Sequence, residues 1–401
     1  MLNSLKFKVI LFGFIFTFFS SFGQSYFLGL FNSSIRDALS ITHGQFGSIY
    51  ASATLCSSLL LIWVGKKIDD VNIFKFAFFV TILLSFSCFF FSKVSSVFLL
   101  FIAIFLMRFS GQGMMSHTAS TTISRFFTKS RGRALSVSWF GLSSAEFILP
   151  VLMVYLLTII DWQNLWLIFS IVVLFFLPIT SFLLIKNLNL DSREASNENI
   201  KEINIKQWKR VEVIKDYRFY IISLNMLAMP WIFTGFVVFQ SFVQASKGWG
   251  PYVIAQSFMS YSILSVLTLF LSGFLIDKFT SRKLLIYMNI PLLLSVIVLF
   301  FFDTPITAFV FLGLVGISNG FANILGSSTW AELYGVKYLG SIKALTTALM
   351  VFATAFGTAL FGILIDIGFT VEDIAIVSGI YIFISLISLF LVRKKLNPII
   401  I

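Results

Sequence analysis

Residues 9–30 read VILFGFIFTFFSSFGQSYFLGL and contain no charged side chain. A helix needs about 20 apolar residues to cross the hydrocarbon core of a bilayer, so this stretch is long enough. Because a backbone in hydrocarbon must satisfy its own hydrogen bonds, the stretch predicts a membrane-spanning helix. It is longer than the apolar part of a typical signal peptide and no A-x-A cleavage site follows it, so we interpret it as an uncleaved first span.

Eleven similar runs follow, and together they predict an all-α integral membrane protein with twelve transmembrane helices. Hydrophobic residues make up 58% of the chain, charged residues 11%, and the mean hydropathy is +0.97. Twelve spans use about 240 positions, which leaves no room for a sizeable soluble domain. The runs are centred near Phe19, Cys56, Leu83, Phe109, Glu146, Phe175, Trp231, Leu264, Ile297, Leu314, Phe352 and Ile384.

The distribution of basic residues predicts the orientation in the bilayer. Of the 29 lysines and arginines, 25 fall at the two termini or in the loops that follow even-numbered spans. The opposite side holds Arg36, Lys93 and Lys247, and Arg108 lies within a span. By the positive-inside rule, both termini face the cytoplasm and the protein lies in the cell (inner) membrane. No basic domain carries the net charge of +12, so nucleic acid is not an expected partner.

Two short motifs recur about half a chain apart and indicate an internal repeat. The pair Gly65 and Asp69 is followed 208 positions later by Gly273 and Asp277. The run Arg133-Ala-Leu-Ser is followed 210 positions later by Lys343-Ala-Leu-Thr. An even number of spans separates the copies, which predicts two parallel six-helix pseudo-repeats. We expect an N-terminal half at 1–186, a cytoplasmic linker at 187–216 and a C-terminal half at 217–401, with a surface helix or a solvated segment near residues 203–213.

Several motifs resemble those of the major facilitator superfamily and of its monocarboxylate-transporter-like branch. The copies that begin at Gly65 and Gly273 are similar to the family's loop 2–3 motif, and the second copy also keeps Arg282. Further matches lie at residues 108–113, 125–136, 141–150 and 330–340. The resemblance implies two six-span halves that rock about a central site. It also implies a gating latch that involves Gly65, Asp69, Gly273, Asp277 and Arg282, where glycine allows close helix packing and aspartate faces a helix N-terminus.

Three ionisable residues within spans are candidates for function, because such residues are costly to bury in a membrane. Arg108 is the only basic residue well inside a span, and we expect it to bind the substrate. Glu146 lies at a similar depth, so we expect it to pair with Arg108, either as a proton-coupling residue or as a purely structural ion pair. His117 is a candidate for proton coupling or for a hydrogen bond between helices.

Neutral polar residues suggest a second part of the substrate site. Groups of polar side chains lie on spans one, seven, eight and ten. In the superfamily, spans one, four, seven and ten line the central cavity, so the resemblance places three of these four groups at the binding site. The expected substrate-binding residues, besides Arg108, are Gln24, Tyr26, Asn225, Gln256, Asn319, Asn323 and Trp330.

These observations predict a secondary active transporter that moves a small organic anion or zwitterion, such as a carboxylate, by alternating access. Symport with protons is expected because Glu146 and His117 titrate. The two histidines, His43 and His117, lie on different segments, so we expect no metal or other cofactor and no enzymatic activity. We expect a monomer. An integral-membrane enzyme and a transporter-like sensor remain the alternatives.

Overall fold

The computed structural model describes residues 2–68, 70–127, 131–186, 206–335 and 337–399. For a few of these residues, including Asp277, it describes only the backbone. Within these residues, twelve helical segments are long and apolar enough to cross a membrane, as predicted. We number them as spans one to twelve: Leu5–Gly29, His43–Ile68, Ile73–Ser92, Val97–Phe126, Arg133–Leu156, Trp162–Ile185, Tyr217–Val238, Val253–Ile276, Ser281–Phe301, Pro305–Tyr334, Ser341–Asp366 and Val371–Lys395.

Three short helices lie outside the spans, and four spans contain a 3₁₀ turn. The short helices are Asn32–Leu39, Arg210–Lys215 and Gln240–Ser246. Tighter 3₁₀ turns occur at Ser21–Gly23, Gly65–Ile68, Leu285–Tyr287 and Arg393–Lys395. The helix predicted near residues 203–213 is found at Arg210–Lys215, and residues 187–205 lie outside the described part of the chain.

The chain divides into two compact units, Met1–Asn199 and Ile200–Ile401. In the first unit, span one packs on span five, span two on span four, and span three on span six. In the second unit, the corresponding pairs are seven on eleven, eight on ten, and nine on twelve. Each pair of the first unit therefore recurs six spans later, which confirms the predicted parallel pseudo-repeat.

Small and hydroxyl residues allow these pairs to approach closely, as is usual for helices in lipid. Ser85 Oγ donates to the carbonyl of Ser170 and Ser170 Oγ donates to that of Ser85, both at 2.9 Å, which joins spans three and six. Between spans eight and ten, Asn319 Nδ2 donates to Ser265 Oγ at 2.9 Å. Large apolar side chains such as Trp63 and Phe274 remain 74% and 75% exposed on the outside, as expected for a surface that lipid covers.

An ion cluster around the buried side chain of Lys247 joins three segments of the second unit. The Nζ atom of Lys247 lies 2.6 Å from Asp303 Oδ1 and 2.6 Å from Glu372 Oε1, and the lysine side chain is only 1% exposed. Trp249 Nε1 also donates to the carbonyl of Asp303 at 2.6 Å. Burial lowers the pKa of the Lys247 ammonium, but the two carboxylates outweigh this effect and the pKa is raised overall. The cluster therefore connects the loop after span seven with the beginnings of spans ten and twelve.

We expect the acidic members of this cluster to matter more for stability than the lysine. Asp303→Asn combined with Glu372→Gln leaves a buried cation without a partner and should cost about 3 kcal/mol. Lys247→Met should cost roughly 1 kcal/mol, because the partly exposed carboxylates that remain can be solvated. Because the pKa of Lys247 is raised, its contribution is complete below its ordinary pKa of 10.5 and is lost only as the pH rises through the higher value. Thermal unfolding at neutral pH would measure both costs, and equal costs would contradict this ranking.

Candidate functional site

Span one is interrupted in its C-terminal half. Its first helix, Leu2–Ser20, passes into the 3₁₀ turn Ser21–Gly23, and Gln24 is extended, with φ −80° and ψ 151°. A short helix, Ser25–Gly29, then completes the span. Non-helical backbone at membrane depth is tolerated where protein or a water-filled cavity surrounds it, and discontinuous helices form substrate sites in many transporters. The break is therefore the first candidate for a substrate site.

Span four faces this break with an irregular segment of its own. Residues Arg108–Met115 form a π-helix, between the α-helices Val97–Met107 and Ser116–Phe126. A Cβ atom added to Gly111 would lie 2.6 Å from the backbone nitrogen of Gly23, and one added to Gly23 would overlap the backbone of Met107 and Gln112. The two irregular segments thus touch backbone to backbone, and π-helical turns of this kind are frequent at functional sites.

Gly111→Ala is expected to destabilise this contact because neither backbone can retreat from the added methyl group. The cost should be about 2–3 kcal/mol, the upper end of the range for overpacked cores. Gly273→Ala is the matched control, since an added Cβ there meets no atom within 4 Å. Comparison of the melting temperatures of the two purified variants would measure the difference. A melting temperature of Gly111→Ala equal to that of the control would contradict the close contact.

Arg108 lies at this contact and holds the broken segment. Its guanidinium Nη1 donates to the carbonyl of Gly23 at 3.1 Å and to Ser25 Oγ at 3.2 Å. It also lies over the ring of Tyr50, 5.3 Å from the ring centroid. The side chain is buried, its Nε has no hydrogen-bond partner, and no carboxylate in the described residues forms an ion pair with it. The predicted Arg108–Glu146 ion pair is therefore absent, because the break in span one supplies a carbonyl and a hydroxyl to the arginine instead.

Glu146 is buried in the helix Arg131–Leu156, and among the described residues no basic side chain lies within ion-pair distance of it. The short helix Ser25–Gly29, which carries Tyr26, packs on the helix of Glu146. Arg108 thus donates to Ser25 of this short segment, and Glu146 lies on the helix that packs against it. Gln24, half-buried, lies at the beginning of this segment. The structure therefore brings four of the predicted site residues to the break in span one.

His117 lies elsewhere, at the end of span two. Its Nε2 is 3.0 Å from the carbonyl oxygen of Gly65. Nearby, Arg125 Nη1 donates to the carbonyl of Ile68 at 3.1 Å. Carbonyls in the last turn of a helix lack helical partners, so span four satisfies those of span two. His117 thus makes an interhelical hydrogen bond, which is one of its two predicted roles. The predicted latch residue Asp69 lies outside the described residues.

The second unit contains a cavity of about 170 Å³ between spans seven, ten and eleven. Three of the predicted binding residues, Asn319, Asn323 and Trp330, line it. The rest of the lining is largely apolar and includes four methionines, and none of the lining residues that the structure describes is charged. These residues are Ser223, Met226, Leu227, Met229, Pro230, Phe233, Met288, Ala322, Gly326, Thr346, Leu349 and Met350. Trp330 stacks on Tyr334 with ring centroids 5.9 Å apart, which holds the indole in place. The cavity suits an uncharged group that offers a few hydrogen bonds.

Two predicted binding residues of the second unit do not line this cavity. Asn225 is fully buried, and its carbonyl accepts a hydrogen bond of 2.6 Å from Asn289 Nδ2. Its own Nδ2 lies 3.5 Å from Ser385 Oγ, so it joins spans seven, nine and twelve. Gln256 is exposed near the beginning of span eight.

In the second unit, an acidic residue outside the predicted latch, Glu332, lies at the beginning of span nine. The carboxylate of Glu332 accepts hydrogen bonds from the backbone nitrogens of Ser281 at 2.8 Å and Arg282 at 3.3 Å, at the beginning of span nine. Glu332 thus places a negative charge at a helix N-terminus, the role expected of Asp277, whose side chain lies outside the described residues. Among the described residues, no atom lies within 4 Å of a Cβ atom added to Gly273, so a close helix approach at this glycine stays a prediction. Glu332 was recognisable only as part of the motif match at residues 330–340.

Comparison with known proteins agrees with this architecture. A bacterial homologue of the human lysosomal transporter Spinster, in an inward-facing and unoccupied conformation, has a TM-score of 0.76 at 13% identity, with 98% of both chains covered. The nucleoside transporter NupG has a TM-score of 0.71 at 13% identity, again with 98% of both chains covered. Identity this low shows the fold alone. Comparison with curated protein sequences finds no match. The sequence profile of the Major Facilitator Superfamily matches residues 13–358, so the chain belongs to that superfamily and is a transporter of small molecules.

Proposed function

We propose that this protein is a secondary active transporter that moves a small organic anion or zwitterion across the cell (inner) membrane by alternating access, and that it works as a monomer. The observation that carries the proposal is the buried guanidinium of Arg108, which has no carboxylate partner among the described residues. A buried cation without a counter-charge is costly. A substrate carboxylate would supply the missing charge, and the planar guanidinium can hold it through two hydrogen bonds. The motif resemblance to the monocarboxylate-transporter-like branch supports the same substrate class.

A neutral polar solute is the second candidate substrate. The cavity of the second unit favours it, because Asn319 and Asn323 offer amide groups and no charged residue lines the cavity. One of the similar structures is described as a nucleoside transporter, so nucleosides belong among the solutes to test.

We assign proton coupling to Glu146 rather than to His117. Burying a carboxylate without a cationic partner is costly, and burying the protonated group costs far less. Glu146 has no such partner among the described residues and lies beside the broken segment that Arg108 also holds. His117 Nε2 already forms a hydrogen bond with the carbonyl of Gly65, so we give this residue a structural role instead.

The substrate class can be tested with purified protein. A ligand that binds the native state raises its melting temperature, so we expect small carboxylates or amino acids to stabilise the protein in a thermal-shift screen. Uptake of the best ligand into proteoliposomes, with and without an inward proton gradient, would then measure transport and coupling. Stabilisation by nucleosides alone would favour the second candidate. Binding without uptake would point to a sensor, and chemical conversion of the ligand would point to an enzyme.

We expect both termini and the linker at 187–216 to face the cytoplasm, because of the 25-to-3 division of basic residues. A reporter enzyme that is active only in the cytoplasm should work when it is fused after Lys395. The control is the same reporter inserted after Lys93, which should be inactive. Activity of a periplasm-specific reporter after Lys395 would contradict the proposed orientation.

A further inference from the structure

We propose that a basic pocket in the second unit binds the headgroup of an anionic phospholipid. The pocket has a volume of about 720 Å³ and lies where span eight ends, span nine begins and span twelve ends. Its lining includes four basic residues, Arg282, Lys283, Arg393 and Lys394, and no acidic residue whose side chain the structure describes. Basic pockets between membrane helices on the cytoplasmic side are a known form of lipid headgroup site.

Among the described residues, most of the basic side chains in this pocket have no acidic partner. Arg282 is the exception, since Glu332 Oε2 lies 3.5 Å from its Nε. Lys283, Arg393 and Lys394 form no ion pair with any acidic residue that the structure describes. The guanidinium of Arg393 lies instead over the ring of Phe390, 3.8 Å from the ring centroid. Several cations that share one concave site repel each other, so an anion bound among them would relieve this repulsion.

Hydrogen bonds connect the two walls of the pocket, which are the beginning of span nine and the segment after span twelve. Arg282 Nη1, at the beginning of span nine, donates to the carbonyl of Leu396 at 2.9 Å and to Asn397 Oδ1 at 2.7 Å. Both acceptors belong to the segment that follows span twelve. The arginine thus keeps the basic residues of the two segments on opposite sides of one cavity.

The apolar surroundings favour a phospholipid over a soluble phosphate. Phe279 and Tyr287 belong to the lining and are 42% and 56% exposed. Along the adjoining spans, Phe274 and Leu391 are 75% and 74% exposed. Acyl chains would cover these side chains while the phosphate occupies the basic pocket, because the pocket opens where the apolar surface of the spans ends. A soluble phosphate ester would leave the apolar side chains uncovered.

The experiment measures retention of phosphatidylglycerol by the full-length protein. Protein purified in neutral detergent is titrated with phosphatidylglycerol or phosphatidylcholine, and bound lipid is counted by native mass spectrometry. Each basic residue near an anionic surface contributes about 1 kcal/mol, so Arg393→Gln combined with Lys394→Gln should weaken binding of phosphatidylglycerol roughly 30-fold. Binding of phosphatidylcholine should not change.

The matched control is Lys66→Gln combined with Lys67→Gln, which removes the same charge from an exposed segment of the first unit. The melting temperature of each variant without added lipid shows whether it is folded. Equal phosphatidylglycerol binding by wild type, pocket variant and control would overturn the proposal. Complete displacement of the lipid by millimolar inorganic phosphate or glycerol phosphate would also overturn it, because the site would then be one for soluble anions. Selective loss in the pocket variant, without such displacement, supports it.

Discussion

Arg108→Gln should abolish uptake of the anionic substrate, with a loss of roughly 100-fold or more, and Arg108→Lys should restore only part of it. Removing one member of a buried charge pair costs about 2–5 kcal/mol, and the substrate is proposed to be the other member. Lysine keeps the charge but is a point donor that cannot hold a carboxylate through two parallel bonds. Initial uptake rates in proteoliposomes at equal protein content would measure the effect.

Ser25→Ala is the matched control for this prediction. It removes one hydrogen bond that Arg108 donates within the protein and leaves the charge in place. We expect it to transport at a rate within a few-fold of the wild type. If Arg108→Gln is folded and transports normally with an unchanged range of substrates, Arg108 serves only to hold the carbonyl of Gly23 and the broken segment.

Glu146→Gln should end proton-driven accumulation of substrate and preserve counterflow exchange. Glutamine keeps nearly the same size and cannot gain or lose the coupling proton, so substrate would equilibrate without being concentrated. The variant should also fold, because Glu146 makes no ion pair with Arg108 whose loss would strand a buried cation. Uptake against an imposed proton gradient, compared with exchange at equal internal and external pH, separates the two activities.

The control for this variant is Tyr26→Phe, which changes a residue on the short helix that packs on the helix of Glu146 and leaves the carboxyl group itself. Because Tyr26 is itself a predicted binding residue, the uptake rate should fall, whereas proton-driven accumulation should remain. Normal proton-driven accumulation by a folded Glu146→Gln protein would eliminate the coupling role. Loss of both accumulation and exchange, with a melting temperature well below that of the wild type, would show that Glu146 is structural.

The architecture followed from local properties of the sequence. The length and apolar composition of a span depend on only about 20 consecutive residues, so the sequence predicts all twelve spans where the structure has them. The repeat was visible because Gly65 and Gly273 lie at nearly the same offset as Arg133 and Lys343. The three cavity residues Asn319, Asn323 and Trp330 were predicted because the superfamily resemblance indicates which spans line a cavity.

The contacts within the candidate site were decided by tertiary structure. The break at Gln24 and the π-helix Arg108–Met115 exist because two spans meet at glycines that lie far apart in sequence. The similar depth of Arg108 and Glu146 in the membrane predicts that they pair. Depth does not determine the direction in which a side chain points, and Arg108 instead donates a hydrogen bond to the Gly23 carbonyl at the break. Asn225 was placed on a cavity-lining span, yet its partners lie on spans nine and twelve. The apolar composition of a span depends on one segment of the sequence alone. The partner of a polar side chain depends on how several spans pack together, so only the tertiary structure determines it.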